Sequence, residues 1–308
     1  PMFHVKHLSG GVLEGVCAGS ARGLGRSGGT LARSGAMLAA LLLAACSWPE
    51  DIAANAGVSA PVAPPAAPPA APAPPVPTPG KAEFTDNEEI AAEPGEASRR
   101  FGYSWPAEVS VIPALAATFA AERDRLLAEQ KADFKGALAD FAGESCGGCK
   151  MREFQKGWEV VADLPRFLSL SSSSYEYASG AHGNHWPGAL VWDREANKAL
   201  DPKAMFRSEA ALQEARGAPW CKALAAEKRK RLGEDYADDG FFPCPPVKDL
   251  AVLVGSADSK AFDRVGLIAA PYVAGSYAEG EYEVTLPVTP AVLAAVKPEY
   301  KAAFALAK

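Results

Sequence analysis

Several groups of side chains in this 308-residue chain have the types and spacings that chemistry requires. Cys146-Gly147-Gly148-Cys149 is a C-x-x-C, the spacing of a thiol–disulfide catalyst or of half a zinc site. A redox C-x-x-C normally opens a helix after a strand, where the helix dipole lowers the thiol pKa. This one follows a long helical stretch and lies in a glycine-flanked loop, which points to a structural disulfide. Cys221 and Cys244 supply two more cysteines without zinc spacing. Local pairing, Cys146 with Cys149 and Cys221 with Cys244, is favoured among three possible connectivities. His182 and His185 sit in Gly180-Ala181-His182-Gly183-Asn184-His185-Trp186. Two imidazoles with no carboxylate nearby hold a metal weakly, so the segment reads as a structural or binding loop, and no metal is expected. The serines at 171–174 lie along a strand rather than on a nucleophile turn, and no G-x-S-x-G or phosphate-binding loop occurs. Glu176, Asp193 and Glu281 are carboxylates available for glycan hydrolysis, but nothing in the sequence pairs them. Neither catalytic residues nor a cofactor are expected.

Those residues need an address and a scaffold. Met37 to Ala45 is an uncharged apolar run preceded by Arg33, too short to span a bilayer, which needs about 20 residues. It ends in Leu43-Ala44-Ala45-Cys46, which resembles the bacterial lipobox, so residues 1–45 read as a signal peptide and Cys46 as the lipidated residue. Ser47, rather than Asp, follows it; by resemblance to enteric lipoproteins this favours the outer over the inner membrane. The expected location is the periplasmic side, anchored through acylated Cys46. Residues 1–36 fit no known segment of a signal peptide. Met2–His7 can be back-translated as ATGTTTCACGTGAAACAT, whose inner palindrome resembles a bacterial chromosome-partition site. A miscalled start, with Met37 the initiator, accounts for this stretch. Residues 46–80 form a Pro/Ala-rich tether of polyproline II character.

The net charge of the chain is -6. Lys6, Arg22, Arg26 and Arg33 against Glu14 give residues 1–45 a charge of +3, which leaves -9 for the rest. An acidic domain is a poor nucleic-acid binder and a better match for basic proteins.

Residues 81–308 read as one α+β domain, an antiparallel sheet packed against helices on one side. Strands are expected at Glu83–Ile90, Ser98–Trp105, Trp158–Val161, Arg166–Tyr177, Ala189–Trp192, Val252–Val254, Val265–Ile268 and Tyr282–Leu286. The small, serine-rich strand suits a sheet edge or a place under a helix. Helices are expected over 111–141, over 208–232 and from Pro290 to the C-terminus. The basic run Lys228-Arg229-Lys230-Arg231 reads as a solvated helix end.

Two spaced motifs add a resemblance that covers roughly residues 82–307. The first is Tyr175-x-Tyr177-x-x-Gly180-Ala181-His182-Gly183, followed by Leu200-Asp201-Pro202-x-x-Met205-Phe206. The second is Pro271-Tyr272-x-x-Gly275-x-Tyr277-x-x-Gly280. Together they resemble a secreted domain of unknown function shared by the extracellular part of the anti-sigma factor RsiV and the region preceding the catalytic domain of the deacetylase PdaC. In the former the domain binds lysozyme through its loops. The resemblance implies a non-catalytic binding domain for lysozyme or a peptidoglycan-related ligand, with Tyr175, Tyr177, His182, Pro271, Tyr272 and Tyr277 as contact residues. A periplasmic glycan-acting hydrolase and a purely structural envelope protein are the alternatives.

Overall fold

A computed structural model of the protein describes residues 80–91, 96–237 and 240–308. The expected signal peptide, Cys46 and the tether up to residue 79 lie outside the described residues.

The fold is α+β. β1 (Ala82–Ala91) and β2 (Glu96–Trp105) form an antiparallel hairpin. The short α1 (Ala107–Ser110) and the long α2 (Pro113–Asp140) then carry the chain back so that β3 (Met151–Asp163) pairs with β2 in parallel. A parallel neighbour demands such a crossover, whereas β4 (Phe167–Tyr177), β5 (Asn184–Asp193) and β6 (Lys198–Leu200) follow as an antiparallel meander. Among the described residues these six strands make one sheet, in sequence order. A second sheet holds β7 (Ala251–Gly255), β8 (Arg264–Ala269) and β9 (Tyr282–Pro287). It is accompanied by α3 (Glu209–Leu232) and α4 (Pro290–Ala295).

Alternation along the strands shows how the layers stack. Leu168, Leu170, Trp158 and Trp192 join Leu115 and Phe119 of α2 in one core. Their neighbours Phe167 and Val191 face the other way and join Val252, Val254, Val265 and Leu267 of the second sheet, with Trp220 and Leu224 of α3. The larger sheet is thus covered on both faces, by α2 on one and by the smaller sheet on the other. Aromatic stacking fixes the α2 side, where the Phe119 and Trp158 ring centres lie 4.7 Å apart. Below them the Tyr103 hydroxyl accepts from Trp158 Nε1 at 3.0 Å and donates to Glu122 of α2. Burial, and then the Glu122 carboxylate, raise the Tyr103 phenol far above its ordinary range.

Three expectations are corrected, and a fourth is decided between its two alternatives. Among the described residues the strands divide between two sheets rather than one, because a strand apolar on both faces needs a layer on each. The serine-rich β4 lies under α2, one of the two places expected for it, as an interior strand fourth in its sheet rather than at an edge. The final helix stops at Ala295; Val296 is extended, and Pro298 opens a separate 3-10 segment, Pro298–Ala303. The basic run is not simply solvated. Lys228, only 4 % exposed, donates to the Phe242 carbonyl at 3.2 Å. One turn later Arg231 caps carbonyls of the β8–β9 connection. Residues three apart share a helix face, so both turn toward the rest of the domain, Lys228 buried and Arg231 exposed at the rim. The cysteines pair locally as favoured, Cys146 with Cys149 and Cys221 with Cys244.

Asp193 holds the β5–β6 turn. It receives Arg166 through both carboxylate oxygens, at 3.0 and 2.7 Å, and the Glu195 and Ala196 amides at 3.0 and 3.2 Å. The Arg166 hydrogen bond, chiefly, holds its carboxyl below the ordinary 3.8. Asp193→Asn should cost about 1–3 kcal/mol at neutral pH. A depressed folded pKa contributes stability that is complete above 3.8 and is lost as pH falls through the folded value. Urea titrations of the two chains should therefore converge in strong acid, and a gap that stays constant there would refute this role. A second test concerns the disulfides. Replacing Cys221 and Cys244 by Ala opens a 23-residue loop and should cost about 3 kcal/mol, more than the same change at the short Cys146–Cys149 loop.

Candidate functional site

The first motif occupies the end of β4 and the turn into β5. Tyr175 and Tyr177 point to the face that carries the smaller sheet, and the chain then turns through Ser179 and Gly180, both at positive φ. The Tyr177 hydroxyl donates to the Gly180 carbonyl at 3.1 Å and closes this turn. Gly183 is required by packing. A Cβ there would meet the Tyr175 ring at 2.3 Å. β5 begins at Asn184, so His185 is a strand residue paired with Tyr175, their rings 4.7 Å apart.

The second motif forms the connection between β8 and β9. Pro271 and Tyr272 lie in a turn closed by Val273 N–H donating to the Ala270 carbonyl at 3.0 Å. Ser276 to Glu279 is a capping box, with the Glu279 carboxylate accepting from the Ser276 amide at 2.7 Å. The other Glu279 oxygen accepts from the Tyr282 hydroxyl at 2.6 Å. Burial pushes this carboxyl up, yet the bonds from Tyr282 and Ser276 outweigh it and leave the pKa below its ordinary value. A Cβ on Gly275 would lie 2.4 Å from the same carboxylate, which explains a glycine there. Arg231 locks the connection from outside, donating to the Glu279 and Glu281 carbonyls at 2.5 and 2.8 Å with its guanidinium 4.1 Å above the Tyr282 ring.

The two motifs meet. His182 stacks on Tyr277 at 3.7 Å between ring centres and 18° between planes. Its Nδ1 lies 3.0 Å from the Gly183 carbonyl oxygen, which can only accept, so Nδ1 carries the proton in the neutral ring. Nε2, 3.0 Å from the Tyr272 oxygen, then accepts from that hydroxyl. Tyr272 and Tyr277 are 5.7 Å apart, and His185 lies 6.4 Å from Tyr277. Burial raises the phenols of Tyr175 and Tyr277; Glu153 adds to the first and Tyr272 to the second. Tyr272 is 54 % exposed and sits at φ 69°, a conformation that L-residues avoid.

Five of the six candidate residues thus build one assembly, directly or, for Tyr177, through the turn it closes. Pro271 contributes by shaping the backbone before Tyr272. His185, Glu279, Arg231 and Tyr282 complete the assembly and were not among the candidates. The Ser-x-x-Glu spacing was a readable signal for Glu279. Arg231 had none, since only the tertiary fold shows which side of the basic run faces inward.

The arrangement presents aromatic and hydrogen-bonding groups. The lone pair of His182 is engaged by a tyrosine, and its other nitrogen faces a carbonyl rather than a carboxylate. No cluster of three His, Cys, Asp or Glu side chains that could hold a metal occurs among the described residues. Glu176 pairs with Asn184 at one end of the β4–β5 ladder and Asp193 with Phe167 at the other. Nine residue steps along the strand, 176 − 167, separate them by about 30 Å, whereas glycosidase carboxylates stand about 5–9 Å apart.

No family model matches the chain, and no curated protein matches it. Among solved structures it is similar to a DUF3298 family protein from Pseudomonas aeruginosa, with 18 % identity over 71 % of this chain and 94 % of that one, at a TM-score of 0.42. A DUF3298 family member from Bacteroides fragilis is similar at 15 % identity, over 67 % of this chain and 89 % of the other, with a TM-score of 0.46.

The strain at Tyr272 is open to a direct test. Tyr272→Gly and Tyr272→Ala both delete the ring, but only glycine relaxes at positive φ. The glycine variant should be the more stable of the two by about 1 kcal/mol, the reverse of the usual order. Thermal or urea unfolding of the pair measures the difference, and an alanine variant of equal or greater stability would show that the backbone is not strained there.

Proposed function

We propose that this chain is an extracytoplasmic lipoprotein, held to a membrane by acylated Cys46, whose folded domain is a non-catalytic binding module. Its contact surface is the aromatic assembly of Tyr175, His182, Tyr272 and Tyr277, and its partner is a basic protein of the cell-wall environment, in the first instance a lysozyme. The observation that carries this reading is the convergence of two loops, remote in sequence, on one exposed His–Tyr stack. Rigid aromatic side chains with polar tips are the usual anchors of protein interfaces. The loops are pre-organised by Arg231 and by the Ser276–Glu279 capping box, which lowers the ordering cost of association. The charge of -9 after residue 45 suits a basic partner and should speed its approach at low salt.

The test uses the Cys46→Ser chain, freed of its lipid, titrated against a panel of lysozymes with binding and muralytic activity followed together. Saturable binding that inhibits the enzyme is expected, with an on-rate that falls as salt rises. Tyr272→Ala and His182→Ala should each weaken it by roughly 30-fold, about 2 kcal/mol, as central anchors do. Absence of binding to every lysozyme, or binding unaffected by both changes, would overturn the proposal.

A further inference from the structure

The face of the larger sheet opposite the aromatic assembly carries a cleft of about 350 Å³ between α2 and strands β3, β4 and β5. That is large enough for one small ligand. Its lining combines groups that the core elsewhere keeps apart. Ser172 and Ser174 of β4 line it, 6 % and 1 % exposed, and neither hydroxyl has a hydrogen-bond partner in the protein. A buried hydroxyl without a partner is unfavourable, and two side by side on one strand face are uncommon. Across the ladder Ser172 faces Gly188, and its hydroxyl fills the space that a Cβ on Gly188 would take, at 2.3 Å. Ser174 faces Trp186, whose indole is 37 % exposed.

Lys156 and Glu122 complete the lining. They bond to each other at 2.6 Å, so the cleft offers a donor and an acceptor with no net charge. The Lys156 ammonium also lies 4.7 Å from the Trp158 ring centre, which holds it in place. An apolar indole on one side, unpartnered hydroxyls and a neutralised ion pair match a ligand with an apolar face and a rim of hydroxyl groups. A charged ligand would have to break the ion pair, and a purely apolar one would leave the serines unsatisfied.

We propose that this cleft is a binding subsite for a neutral pyranose unit of a glycan. The sugar's C–H face lies on the Trp186 indole, and its hydroxyls exchange hydrogen bonds with Ser172, Ser174 and the Lys156–Glu122 pair. The site is on the other side of the sheet from the His182–Tyr272–Tyr277 stack and does not depend on the lysozyme reading.

The full chain is titrated with oligosaccharides of N-acetylglucosamine and of glucose while tryptophan fluorescence is followed. At least one series should give a saturable change at millimolar concentration. The Ser172→Val, Ser174→Val double variant should fold with equal or greater stability, since it removes two unpartnered hydroxyls, yet bind at least tenfold more weakly. Trp186→Ala should weaken binding to a similar degree, whereas Tyr272→Ala should bind sugar as the parent does. No saturable response to either series overturns the proposal. So does full affinity in the valine variant, or a loss as large in Tyr272→Ala as in the cleft variants.

Discussion

Strand β4 has to serve as a wall for two interiors at once, and the rest of the domain is arranged around that requirement. Phe167 and Leu168 diverge into separate cores, one under the three-stranded sheet and one under α2. Beyond them the strand changes to serine, and Ser169, Ser171, Ser172 and Ser174 are all buried. Large side chains on both faces would hold the layers apart; serine at 169 and 171 lets the small sheet pack on one face, while on the other Ser172 and Ser174 line the cleft under α2. The cost falls on the hydroxyls. Those of Ser169, Ser172 and Ser174 find no partner, each a loss of about 1–3 kcal/mol that the surrounding apolar burial must offset.

The sequence was informative wherever a single face or a single turn decided the outcome. The strands around Ser98–Trp105 and Tyr282–Leu286, the long helix and the local cysteine pairing could all be read from periodicity and spacing. The two Gly- and Tyr-rich loops came forward as candidate sites only through their resemblance to a known domain. What stayed hidden depended on layers. Phe-Leu-Ser-Leu-Ser-Ser is compatible with an edge strand or an interior one, and only the second sheet decides between them. The parallel pairing of β2 with β3 was hidden for a related reason. α2 looked like a covering helix, and its role as crossover requires knowing which strand follows it in space. Lys228 was misread because composition alone cannot tell the buried side of a charged helix end from the solvated one.

The aromatic assembly is built from compromises that pure packing would avoid. Tyr272 takes a backbone conformation suited to glycine while more than half exposed, so little burial compensates for it. Gly183 and Gly275 give up side chains so that Tyr175 and Glu279 can fit against the backbone. Unfavourable local geometry held in place by a well-bonded surround is the pattern of sites kept for contact with something else. Here the surround is specific: the capping box, the Arg231 latch and the Tyr177 hydroxyl fix both loops.

The two proposed surfaces share one piece of backbone. Tyr175 pairs with His185, and the next rung pairs Ser174 with Trp186. Because successive strand residues point to opposite faces, adjacent rungs supply the aromatic assembly on one side and the cleft on the other. Neither can move far without the other, since the register that places His185 near Tyr277 also places Trp186 at the mouth of the cleft. A one-residue slip would exchange the two faces, turning an indole towards the small sheet and an imidazole towards α2. Pro187 follows Trp186 within the strand, and Gly188 lies directly after it, opposite Ser172. The glycine that makes room for the Ser172 hydroxyl is therefore set by the same short segment, residues 184–188, that begins β5 and carries the loop's second histidine. A module that reads a wall-associated protein on one face and a sugar on the other would need this economy: one rigid ladder, two chemically distinct sides.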